Sequence, residues 1–249
     1  MKKGRFRWGW AVLSVPVVLV AGFVVWAYTP PAPMPEALSA LQSDARVKVE
    51  THSGLAFSPA DRQPTTGLIF YPGGRVDPRA YAPAARAIAE SGYFVTIVPM
   101  PLNLAVFAPD SAIDVIEQNP SVQHWVVGGH SLGGAMAARF ASTHPDAIDG
   151  LALWAAYPDG SDDLSRRDLQ VISIYGTRDG LATAGKIDDS RRLLPRSTRW
   201  VAIEGGNHAQ FGWYGSQPGD NDATLDRLEQ QTQTIDAMLR LLKTVSSGG

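Results

Sequence analysis

The stretch VVGGHSLGGAMAARF, residues 126–140, decides how the rest of the chain is read. An apolar run ends in Gly129-His130-Ser131-Leu132-Gly133, and helix-favouring residues follow without a break. The pattern is G-x-S-x-G, in which a strand turns sharply into a helix and lifts the serine hydroxyl clear of the sheet edge. In a chain with 24 glycines the pattern also arises by chance, so its meaning depends on a strand, a helix and chemical partners for Ser131.

Working outward, short apolar runs alternate with amphipathic stretches, the pattern of an α/β protein with a mostly parallel central sheet flanked by helices. Residues 47–51 and 55–58 read as a hairpin around Ser53-Gly54, and 68–71 as a buried strand running into Pro72-Gly73-Gly74. A helix over about 78–91 stops at Gly92. Strand 93–98, a short helix near 111–118, and strand 125–128 lead to the serine turn, and 132–143 continue as a helix. Runs at 151–155, 171–175 and 200–203 are three further strands, each ending at a turn. In the tail, 224–243, Leu225, Leu228, Ile235, Met238, Leu239 and Leu242 share one stripe of a closing amphipathic helix.

A serine hydroxyl is a poor nucleophile at neutral pH until a base takes its proton. The base in turn needs an acid to fix its tautomer and steady its charge. Of five histidines, only His208 lies beyond the last expected strand, in IEGGNHAQFGWYG, where two glycines let a loop bring the ring inward. His52, His124 and His144 lie outside the loops that follow the later strands, and His130 adjoins Ser131, where the turn sends its side chain elsewhere. For the acid, Asp179 stands in a turn directly after the strand of VISIYGTRDG. Its rivals Asp159, Asp162 and Asp163 follow the preceding strand, but their run, YPDGSDDLSRRD, reads as solvated loop. Two backbone N–H groups complete the expected set for a developing oxyanion: Leu132, just after the serine, and Gly74, chosen over Gly73. Such chemistry requires no cofactor and no metal.

With Ser131, Asp179 and His208 in this order after successive strands, the chain resembles the α/β-hydrolase superfamily from about residue 47 to its carboxyl end. Within it, the chain is similar to compact, lidless, dienelactone-hydrolase-like carboxylesterases. Only about 15 residues separate the strands ending at Ala155 and starting at Val171, where larger relatives insert a cap. Dienelactone hydrolases use a cysteine nucleophile and this chain has no cysteine, so their particular substrate does not carry over. The resemblance implies an α/β-hydrolase fold without a cap domain, and a serine hydrolase that cleaves small-molecule carboxylic esters through an acyl-enzyme. Peptidases, thioesterases and acyltransferases use the same machinery, and a catalytically silent binding protein would keep the same fold. Met100, Leu102, Phe107, Phe211, Trp213 and Tyr214 either line an open cleft or pack in the core and rim.

Composition bounds the rest. The 249 residues are 45% hydrophobic and 18% charged, enough for one domain, and a net charge of −2 with no dense basic run beyond residue 7 argues against nucleic acid as a partner. The amino terminus carries Lys2, Lys3, Arg5 and Arg7 ahead of an uncharged, mostly apolar stretch over 8–28, about 30 Å as a helix, the thickness of a bilayer core. Trp8, Trp10, Trp26 and Tyr28 flank that stretch as interfacial anchors. Residues 1–28 therefore read as a cytoplasmic basic end and a single transmembrane anchor, 29–43 as a stiff Pro-rich spacer, and 44–249 as an extracytoplasmic catalytic domain. A signal peptide cleaved near Val25-Trp26-Ala27, giving a secreted protein, is the competing reading.

Overall fold

The parallel strands are apolar on both faces because helices cover both sides. The computed structural model describes residues 5–51 and 54–248, with side chains from residue 15 onward. Among these, eight strands form one sheet: β1 (Val47–Glu50), β2 (Leu55–Pro59), β3 (Thr66–Tyr71), β4 (Phe94–Ile97), β5 (His124–His130), β6 (Gly150–Trp154), β7 (Gln170–Gly176) and β8 (Arg199–Ile203). Their order is β1-β2-β4-β3-β5-β6-β7-β8. The β1–β2 hairpin joins antiparallel to β4, and every other pairing is parallel. Ser53 of the expected hairpin turn lies outside the described residues.

The helices are α1 (Arg5–Tyr28), α2 (Pro35–Ser39), α3 (Ala82–Glu90), α4 (Ala112–Gln118), α5 (Leu132–Thr143), α6 (Ala184–Ser190) and α7 (Arg227–Ser246). Alternate strand residues divide the interior in two. Phe70, Val126 and Ile172 pack with Ile88 of α3 and Met238 of α7, while Ile69, Val127 and Leu151 pack with Phe140 of α5 and Ala112 of α4. From β3 the chain goes through α3 to β4 on one side, then crosses back to β5 on the other. The order therefore reverses at the carboxyl ends of β3 and β5, and such a switch point leaves a crevice between the two loops.

Three expectations need correcting. The closing helix begins at Arg227 because the Asp226 carboxylate accepts the Glu229 N–H at 2.8 Å, an N-cap. Its buried face includes Gln230, Gln231 and Thr234, whereas Leu228, placed on the apolar stripe, is 67% exposed. The segment 29–43 is not a free extended spacer. It contains α2, buries Ala37, and is tied down by the Met34 N–H donating to the Trp213 carbonyl at 2.8 Å. Asp162, read as solvated, is buried at 3% exposure and lies 3.8 Å from the Arg139 guanidinium, whereas Asp159 and Asp163 are exposed. Its own N–H bonds back to the Asp159 carbonyl, a tight turn that tucks the side chain inward.

The apolar amino-terminal stretch is helical through Tyr28. Among the described residues no helix is long and apolar enough to cross a membrane. Lys2 and Lys3, and the side chains of the first part of the expected span, lie outside those residues.

Candidate active site

Glycines make the turn between β5 and α5 possible through close approach. A Cβ on Gly129 would lie 2.5 Å from the Gly133 carbonyl carbon, and one on Gly133 would collide with the carbonyl oxygens of Tyr71 and Pro72. The helix thus starts almost in contact with the ends of β3 and β5. At the apex Ser131 adopts φ 53°, ψ −122°, a conformation that costs a non-glycine residue roughly 1–3 kcal/mol. The bond from its N–H to the Trp154 carbonyl, 3.0 Å, holds it there.

Two loops at the carboxyl ends of β7 and β8 bring Asp179 and His208 together. His208 Nδ1 lies 2.8 Å from Asp179 Oδ2, and both residues are buried. Asp179 Oδ1 accepts the N–H groups of Leu181 and Ala182, each at 2.7 Å, so the carboxylate has one orientation only. The second ring nitrogen, His208 Nε2, is buried with no hydrogen-bond partner among the described residues. Ser131, Leu132 and His208 line one cleft of about 280 Å³, together with Ala155, Tyr157 and Leu181.

The residues of the two expected N–H donors are neighbours through the Leu132 side chain. Leu132 N–H is the first of α5 and therefore has no acceptor within the helix. A Cβ on Gly74 would touch Leu132 Cδ2 at 3.1 Å, so the backbone at Gly74 faces Leu132. Gly73 is different, since its N–H already donates to the Tyr81 hydroxyl at 3.0 Å.

The sequence reading missed much of what positions these groups. Asp220 joins the acid and base loops: Oδ1 accepts the N–H groups of Gly180 at 3.0 Å and His208 at 3.2 Å, and Oδ2 that of Ala209 at 2.8 Å. Gln230 of α7 pairs with the Asn207 backbone through both its amide oxygen, 3.0 Å, and its amide nitrogen, 2.8 Å. This explains a glutamine with no exposed surface on a helix face meant for apolar residues. Arg227 binds the carbonyls of Ala209, Gly212 and Gly215, fastening the segment after His208.

His130 turns away from the cleft, as expected, but packs against the base, with ring centroids 4.4 Å apart. The Tyr81 hydroxyl accepts from Gly73 N–H and so has its own proton to donate to His130 Nδ1, at 2.9 Å. That proton direction makes His130 a neutral ring. Burial first, and the neighbouring His208 second, push its pKa well below the ordinary histidine value. Of the aromatic and aliphatic residues weighed for a cleft, Tyr214 lines a second one, Phe211 and Met100 are core, and Phe107 is exposed.

A mostly parallel sheet with a serine on a strained turn at its switch point is the architecture of the alpha/beta hydrolases. Residues 67–232 match the alpha/beta hydrolase family model, and the chain belongs to that family. The solved structure of a "predicted CIB-like hydrolase" from Thermoplasma acidophilum is similar with a TM-score of 0.60 at 14% identity, over 78% of this chain and 99% of that one, a likeness of fold. No curated protein matches the chain.

Proposed function

We propose that the chain is a membrane-anchored serine hydrolase that cleaves carboxylic esters, with Ser131 as nucleophile, His208 as base and Asp179 as the acid that orients it. One observation carries this reading: His208, bonded to Asp179 through Nδ1 and with its Nε2 left without a partner among the described residues, lines the same cleft as Ser131. As the Ser131 Oγ forms a bond to the ester carbonyl carbon, its proton passes to His208 Nε2. The carbonyl oxygen takes the electron pair, held by the N–H groups of Leu132 and Gly74. The ester bond then breaks, and the leaving alkoxide takes the proton from Nε2. A water molecule repeats the sequence on the acyl-serine, releasing the carboxylic acid and restoring the Ser131 hydroxyl. Asp179 stays ionised throughout and stabilises the imidazolium.

Membrane attachment is supported by α1 itself. Its large apolar side chains from Val15 to Trp26 stay uncovered, with Val17, Val18 and Leu19 each 67% exposed. Such a continuous apolar surface is unfavourable in water and suited to a bilayer, and the basic amino-terminal cluster favours an extracytoplasmic domain. A fluorophosphonate probe tests the chemistry, because it labels only an activated serine. Wild type should be labelled and Ser131→Ala should not, with kcat on a short-chain p-nitrophenyl ester lower by at least about 10³-fold in the folded variant. A folded Ser131→Ala variant with near wild-type turnover refutes the assignment.

A further inference from the structure

A second cleft, of about 330 Å³, lies beside the first, and Trp26, Pro31, Gly74, Leu104, Tyr214 and Ser216 line most of it. Leu132 belongs to the first cleft and Gly74 to the second, and these two residues face one another. The pair that would hold the carbonyl oxygen is thus the partition between two clefts, and an ester has two arms to place. The proton-delivering group decides which arm goes where. His208 lines the first cleft, so the leaving alcohol belongs there; the second is lined by no histidine among the described residues, its Tyr214 hydroxyl is spent on Gln217 and its Arg75 on the end of α1, and it suits the part that stays on Ser131, the acyl chain.

The wall of the second cleft is the end of the exposed apolar helix, and it is fastened to the site. Arg75, next to Gly74, donates through Nε to the Trp26 carbonyl at 2.9 Å and through Nη2 to the Thr29 carbonyl at 3.0 Å, and its guanidinium lies 4.1 Å from the Trp26 ring centre. Asn103 donates to the Ala27 carbonyl at 2.9 Å and accepts the Arg75 N–H at 2.8 Å. These contacts take up carbonyls that a helix end leaves open, with a cation where the helix dipole favours one. They also hold Arg75 at φ 55° and Asn103 at φ 52°, conformations a loop does not adopt without reason. The apolar surface of α1 therefore ends at a rigid cleft beside Gly74.

We propose that this second cleft is the acyl-chain subsite for a medium- or long-chain ester drawn from the bilayer beside α1. The inference rests on the serine-hydrolase and membrane-anchor readings above and deepens them by naming the substrate class as lipid-like esters. Each methylene buried in an apolar cleft is worth about fourfold in affinity, so kcat/KM should climb by roughly that factor per methylene until the cleft is full. The full-length protein in detergent is assayed on p-nitrophenyl esters from acetate to decanoate, with Ser216→Trp to fill the cleft from its exposed rim and Leu104→Ala to widen it. Expected are a decanoate-to-acetate ratio well above one in wild type, a ratio lowered at least tenfold in Ser216→Trp, and a raised ratio in Leu104→Ala. A melting curve shows that Ser216→Trp folds. A flat chain-length profile in an active wild type, or ratios unmoved in both variants, overturns the subsite alone. No turnover of any ester overturns the serine-hydrolase reading and the subsite with it.

Discussion

Asp179→Asn tests the proposed site most sharply, because the structure leaves the new amide no choice of orientation. Oδ1 of Asp179 accepts two backbone N–H groups, from Leu181 and Ala182, and Oδ2 faces His208 Nδ1. In the asparagine variant, putting the NH₂ against the two backbone donors would leave three buried donors facing one another, at about 1–3 kcal/mol for each unsatisfied group. The amide oxygen therefore stays on the backbone and the NH₂ turns toward His208. A donor there forces Nδ1 to accept, which moves the ring proton to Nε2, the nitrogen that must take the proton from Ser131. The wrong tautomer, together with the lost carboxylate charge, should lower kcat by about 10⁴-fold, or about 5.4 kcal/mol of barrier at 1.36 kcal/mol per decade. KM should change little, since the interaction strengthens as the imidazolium forms. The assay is steady-state hydrolysis of a p-nitrophenyl ester, with a melting curve to show that the backbone contacts survive. A folded Asp179→Asn variant within tenfold of wild-type kcat refutes the reasoning and reopens the identity of the acid.

Three further outcomes follow from the same contacts. Asp162→Asn should raise the melting temperature at neutral pH and leave kcat within a few-fold: burial holds the Asp162 pKa above the ordinary carboxylate value despite Arg139, so its ionised form weakens the fold as pH rises from the unfolded-state pKa through the native one, and the gain should vanish at low pH. His130 has the opposite sign. Its native pKa lies well below that of the unfolded chain, so the stability it contributes is complete above about pH 6.5 and declines as pH falls; a melting series from pH 7.5 to 5 should have a shallower slope in His130→Gln. Tyr81→Phe removes the acceptor for Gly73 N–H and the donor to His130 Nδ1, and urea unfolding should show a loss of about 1–3 kcal/mol for each group left unpaired. The membrane reading predicts that protease added to spheroplasts reaches the domain while a carbonate wash fails to release it, and release or protection contradicts that reading.

The parts of the fold legible in the sequence are those written in local periodicity. LIFY at 68–71 and VISIY at 171–175 are apolar without alternation because both sheet faces are covered, and the strands Thr66–Tyr71 and Gln170–Gly176 contain them. The helix after the serine was legible over its full length, Leu132–Thr143, because the glycines that allow its close approach also mark its start. The pairing of Asp179 with His208 was accessible by the same logic, since a parallel sheet sends the ends of neighbouring strands to one edge.

What was not legible depends on contacts between distant segments. Asp220 sits in SQPGDND, a stretch that reads as an ordinary turn, and nothing beside it in sequence reports that its carboxylate holds Gly180, 40 residues away, and the His208 backbone together. Asp162 has acidic and polar neighbours, and only the turn back to Asp159 distinguishes the buried carboxylate from the exposed ones beside it. The stripe of Leu225, Ile235, Met238, Leu239 and Leu242 does pack on the core, but on α7 apolar spacing passes over Gln230, whose amide is paired with Asn207 and so loses little on burial. The common cause is that a buried polar group is stabilised by its partner, and the partner is chosen by topology. Apart from Asp162 and Arg139, these groups cluster around one object, the loop carrying His208: Asp220 and Gln230 hold its backbone, Arg227 the turn that follows, and Tyr81 with His130 the face of the ring. Apolar periodicity builds the sheet that carries the loop, and this set of polar contacts fixes the base within it. Substitutions at Asp220 or Gln230 should therefore change kcat more than a surface loop would allow, although neither side chain lines the cleft with Ser131.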